Sequence, residues 1–147
     1  MTQNDARRFL GAKRCIDGYT DALNHREWDR LECHFLPDAT WRTANFREFG
    51  FAGGPSIACG LRAIVDPMAM LVQMVTATVI DFSGDARALA RSTVQELGKG
   101  VDESFLCLGS YVDELYLVDG VWRFGSRVFT YFYWEHGALN GLPIGSF

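Results

Sequence analysis

Asp113 is a carboxylate whose setting could support proton chemistry. Read as a strand, residues 103–118 alternate their side chains, so Asp113 shares a face with Phe105, Cys107, Gly109, Tyr111 and Leu115. A carboxyl on such an apolar face is desolvated. Its pKa rises, and it can act as an acid or as a neutral hydrogen-bond donor. The alternative is a structural acid paired with Arg127 or with a backbone amide. Only three histidines are present, His25, His34 and His136. His25 follows the first helix and is expected to face solvent, and His34 is expected on the outer side of the second helix. The segment Trp134-Glu135-His136 either folds over a pocket mouth or stays exposed. The four cysteines, Cys15, Cys33, Cys59 and Cys107, lack metal-ligand spacing. They read as reduced thiols packed as small hydrophobes. No glycine-rich strand-to-helix loop would cradle a nucleotide. Neither a metal nor a cofactor is expected.

Helical signals fill the first half of the chain and strand signals the second, a segregation that argues α+β. Residues 5–25 predict a long helix with the apolar stripe Phe9, Ala12, Ile16, Tyr19, Thr20 and Leu23. Gly18 weakens this helix by about 1 kcal/mol relative to Ala, which suggests a close contact with another element. A second helix is expected at 27–36, where Pro37 stops it, and a strand at 39–46. The five glycines and prolines between Gly50 and Gly60 predict a loop at 49–60. A short helix at 61–65 and a turn opened by Asp66-Pro67, running to about Val72, come next. Strands are expected at 73–82, 87–97, 103–118 and 121–133, the last two joined by the hairpin signal Asp119-Gly120. Long antiparallel strands with tight turns predict one strongly curved sheet with the helices on its concave face.

One domain of 147 residues accounts for the whole chain. The 14% aromatic content suits a ring-lined pocket as well as a large core. Net charge is −4 with the basic residues scattered, which argues against nucleic acid and anionic membranes. No apolar run approaches the roughly 18 residues of a membrane span. Residues 1–5 lack a signal-peptide pattern, so a cytoplasmic location is expected.

The segment Tyr19-Thr20-Asp21-Ala22-Leu23-Asn24-His25-Arg26-Glu27-Trp28-Asp29-Arg30-Leu31 resembles the first helical hairpin of SnoaL-like proteins, within the nuclear-transport-factor-2-like superfamily. Phe35-Leu36-Pro37-Asp38-Ala39-Thr40-Trp41 resembles the entry into the first strand, and Gly60-Leu61-Arg62-Ala63-Ile64 the third helix. Ser83-Gly84-Asp85-Ala86-Arg87-Ala88 resembles the first long hairpin. Tyr111-Val112-Asp113-Glu114-Leu115 with Asp119-Gly120-Val121-Trp122-Arg123-Phe124 resembles the last. The series covers nearly the whole chain in order. The resemblance implies a conical α+β domain with a deep pocket between the sheet and the first helix, commonly as a homodimer and sometimes as a homotrimer.

Relatives of this kind include polyketide cyclases, dehydratases, ketosteroid isomerase and the non-catalytic β subunits of ring-hydroxylating dioxygenases, so the fold leaves function open. Tyr19 is similar to a shared catalytic tyrosine. A phenol there can donate to an oxygen gaining charge in an enolate-like transition state; otherwise it is a packed helix tyrosine. Asn24 stands where dehydratase-type relatives carry an aspartate, and it cannot take a proton. It can orient a substrate oxygen or serve as a cap. Thr43 stands where the isomerase carries its base. The stretch Val72-Gln73-Met74-Val75 lacks the dehydratase histidine. Trp41, Gln73, Gln95, Tyr111 and Phe129 are expected to line the pocket around a small apolar organic ligand. Two functions fit these residues. One is a cofactor-independent lyase or isomerase for a cyclic, polyketide- or steroid-like molecule, with Tyr19 and Asp113 as catalytic residues. The other is a non-catalytic binding or accessory subunit.

Overall fold

A computed structural model describes residues 2–145. Three helices, α1 (Gln3–Asn24), α2 (Trp28–Glu32) and α3 (Gly54–Val65), pack against a six-stranded sheet. The strands are β1 (Phe35–Ala44), β2 (Gly50–Ala52), β3 (Met70–Phe82), β4 (Arg87–Lys99), β5 (Ser104–Val118) and β6 (Val121–His136), in the order β2-β1-β6-β5-β4-β3. Only β1 and β6 run parallel; every other pair is antiparallel. The sheet is mixed and open, and the architecture is the α+β cone expected.

α1 begins with a capping box in which Thr2 and Asp5 satisfy each other's backbone N–H groups. Its buried face is Ala12, Cys15, Ile16, Tyr19, Ala22 and Leu23, while Phe9 is partly exposed. The inner row of β4 begins Ala88, Ala90, Ser92 and Val94, all buried. These small side chains let a helix approach the sheet closely. Register slips leave an extra residue at Thr76 in β3 and at Gly125 and Phe132 in β6; such bulges bend strands and increase their twist. Gly18 has no Cβ because the His34 ring fills that space, 2.5 Å from where one would sit.

The stretch 49–60 departs from expectation. It holds β2 and most of α3 in place of a loop. Pro55 lies in the first turn of α3, a position it suits. Gly60 is glycine because the Phe51 ring fills the space that a Cβ would need. Packing, not flexibility, explains that glycine. α2 ends at Glu32, so Phe35 and Pro37 fall in β1. Pro37 sits where the β1–β6 register shifts, so its missing N–H costs no ladder bond. Residues 66–69 form a turn, and β3 starts at Met70. Among the described residues, no helix is long and apolar enough to cross a membrane. Cys15 and Cys107 are packed inside, but Cys33 and Cys59 are exposed.

Candidate functional site

A cavity of about 140 Å³ lies between the sheet and helices α1 and α3. Leu61, Ile64 and Val65 of α3, with Met68 and Leu71, line one side. Trp41, Phe105, Phe129, Tyr131 and Trp134 line the other. The remaining wall is polar and comes from four elements.

Tyr19 of α1 and Tyr111 of β5 bring their hydroxyls to 3.4 Å. Trp41 Nε1 donates to the Tyr19 oxygen at 3.1 Å. Gln73 Nε2 donates to the Tyr111 oxygen, also at 3.1 Å. Each phenol oxygen therefore already accepts an N–H. The contact between the two oxygens can use only one of their two protons. At least one O–H is left to donate to an acceptor in the cavity. Burial raises both phenol pKa values and so keeps them neutral, while Arg127 opposes the rise.

Behind these rings the Arg127 guanidinium is fully buried, 3.8 Å from the Tyr111 ring centre, 4.1 Å from Tyr19 and 4.4 Å from Phe124. Asp113 lies directly across from it on β5, with Arg127 Nε 3.2 Å from Asp113 Oδ1. Burial pushes the Asp113 carboxyl up to about 6 against the pull of Arg127.

Glu96 completes the wall. On β4 it lies opposite Gln73 of β3 and Cys107 of β5. Gln73 Nε2 donates to its Oε2 at 2.5 Å, and the Cys107 thiol lies 3.9 Å from its Oε1. The residue as a whole is half-buried, but its carboxyl faces the dry side. Burial pushes it up to about 7, and the Gln73 and Cys107 hydrogen bonds only partly offset this. Nearer solvent, Arg47 Nη1 lies 3.3 Å from Glu103 Oε1, and its guanidinium stacks 4.4 Å from the Trp134 ring centre.

The structure brings Tyr19, Trp41, Gln73, Tyr111 and Phe129 together around the cavity. It keeps three other expected site residues out of the lining. Asp113 is turned onto Arg127, the alternative open in the sequence. Asn24 is taken up by the backbone of Gln73, to which it donates at 2.9 Å and from which it accepts at 2.8 Å. Bonded on both sides, the side chain of Asn24 caps the backbone of β3 and stands outside the cavity lining. Gln95 points to the opposite face of β4, and Glu96 takes the position expected of it. Glu96 escaped the sequence reading, although the alternation Ala88, Ala90, Ser92, Val94 carries on to it. Thr43 lines the cavity, but its hydroxyl donates to the Arg47 carbonyl at 2.8 Å. His136 ends β6 exposed, 3.4 Å from Glu103, and Glu135 is exposed beside it. His34 lies in the turn after α2, half-buried, with its ring packed on Gly18 of α1. Among the described residues no group of three or more His, Cys, Asp or Glu is placed to hold a metal ion.

The family model of the SnoaL-like domain matches residues 11–128. The chain belongs to the SnoaL-like domain family. No curated protein matches this SnoaL-like domain. Solved structures do. A scytalone dehydratase candidate from Novosphingobium aromaticivorans DSM 12444 matches with a TM-score of 0.82 at 22% identity, over 99% of this chain and 98% of that one. Hexachlorocyclohexane dehydrochlorinase LinA-type3 from Novosphingobium barchaimii LL02 matches with a TM-score of 0.85 at 17% identity, over 96% and 98%. An aromatic ring hydroxylase candidate from Novosphingobium aromaticivorans matches with a TM-score of 0.81 at 16% identity, over 92% and 96%. At these identities the likeness is one of fold.

Proposed function

We propose that this SnoaL-like domain is a cofactor-independent lyase or isomerase acting on a compact, single-ring molecule that carries a carbonyl. The observation that carries the proposal is the pair of phenols. Two buried hydroxyls, each with its oxygen already bonded by an N–H, face an apolar cavity with a proton to give. Such donors stabilise an oxygen that gains negative charge, because they are oriented before the charge appears and sit in a low dielectric. The size of the substrate follows from the volume. A cavity of about 140 Å³ is close to the roughly 150 Å³ that holds one benzene, so a single ring fills it. The dehydratase candidate and the hexachlorocyclohexane dehydrochlorinase among the structural matches are named for eliminations, and they support this class by analogy.

The test is turnover of a panel of monocyclic β-hydroxyketones, followed by the absorbance of the conjugated enone formed as water leaves. Tyr19→Phe and Tyr111→Phe should each lower kcat/KM about tenfold or more. Full activity in both variants would remove the phenols from the mechanism. The accessory-subunit reading rests on the missing histidine and aspartate, and it predicts binding of the same ketones without turnover by the wild type.

A further inference from the structure

We infer that Glu96 is the residue that takes and returns the proton in this cavity. The inference rests on the lyase or isomerase reading above and names the base that reading lacks. Glu96 lines the cavity, and the groups bonded to its carboxyl are neutral, an amide and a thiol. The other lining carboxylate, Glu103, is engaged by Arg47 and lies beside His136. Asp113 is held by Arg127. Glu96 alone among these three faces the cavity without a cation.

Gln73 suits the role of holder. One amide nitrogen reaches both Glu96 and Tyr111, at 2.5 and 3.1 Å, so base and phenols share one wall. The amide oxygen of Gln73 is buried with no hydrogen-bond partner among the described residues. A half-turn of the amide would offer that oxygen to a protonated Glu96. Gln73 can thus hold the acid in both of its states. The backbone of Gln73 is fixed in turn by Asn24.

The Glu96 carboxylate removes a proton from the carbon next to the ring carbonyl. The C–H pair becomes the C=C bond of an enolate, and the carbonyl π pair moves to oxygen, where a phenol O–H donates to it. In the lyase case the enolate pair then expels a β-hydroxyl, which leaves as water with the proton from Glu96. In the isomerase case a different carbon of the conjugated enolate takes that proton back. Either route restores the carboxylate. An acid near 7 is poised for both directions at neutral pH.

Cyclohexanone, which has no leaving group, isolates the proton removal. In deuterium oxide the wild-type chain should exchange its α-protons faster than buffer, as followed by proton NMR. The exchange rate should rise with pH through about 7. Glu96→Gln should lose about a hundredfold of that exchange, while saturation-transfer NMR still detects bound cyclohexanone. Glu96→Asp should recover part of it. Should Glu96→Gln misfold, the Asp variant and the pH profile carry the test. Exchange by Glu96→Gln at the wild-type rate would overturn the role of Glu96 and leave the lyase reading standing. Binding without exchange by the wild type would overturn both.

Discussion

The side chain of Asn24 closes on the backbone of Gln73 from both sides. It donates to the carbonyl at 2.9 Å and accepts from the N–H at 2.8 Å. β3 is the edge of the sheet, so these two groups have no strand beyond them. Asn24, the last residue of α1, stands in for a neighbouring strand and ties the helix to the sheet. An aspartate keeps the acceptor but loses the donor and sets a carboxylate against a carbonyl. Asn24→Asp should therefore lower stability by about 1–3 kcal/mol and bring no gain in turnover. Urea denaturation together with the enone assay checks both. A stable, faster variant would show that this position is a vacant base site.

Asp113→Asn tests the pair beneath the phenols. Asp113 is the only ion-pair partner of the buried Arg127 guanidinium among the described residues. Removing one member of a buried pair costs about 3–5 kcal/mol. The variant should lose that much in denaturant titration at pH 8, above the value of about 6 for the acid. A wild-type midpoint would mean that the pair does little for the fold.

Glu96 also leaves a mark on stability that needs no substrate. Its pKa is about 7 in the folded chain, above the ordinary 4.5. Between those values the folded state binds more protons than the unfolded one, so stability falls as pH rises through that window. Glu96→Gln removes this contribution. The stability of the variant relative to wild type should rise from pH 4.5 to pH 8, with Asp113 common to both proteins. Parallel curves would mean that the Glu96 carboxyl is solvated.

The curved sheet with helices on its concave face was legible because long alternating strands and an amphipathic helix must bury one face each, and the resemblance to SnoaL-like proteins implied the cone. Tyr19, expected from that resemblance, and Trp41, Gln73, Tyr111 and Phe129 do stand around the cavity, while Gln95 does not. What escaped depended on contacts distant in sequence. Gln95 and Glu96 differ by one place, and one step along a strand changes the face; only the buried run before them fixes the parity. The glycines at 50–60 looked like flexibility until Phe51 was found against Gly60. Asn24 looked free because its partner is backbone, which no side-chain pattern reveals. Asp113 on an apolar face was correct, but Arg127 on the next strand decides where its charge goes.

Three rings enclose the Arg127 guanidinium. Seated against both phenol rings, the cation acts as an electrode beneath them. Two carboxyls set how much of that field reaches the hydroxyls: as Asp113 and Glu96 gain their protons, at about 6 and about 7, the balance at the phenol oxygens tips toward the cation.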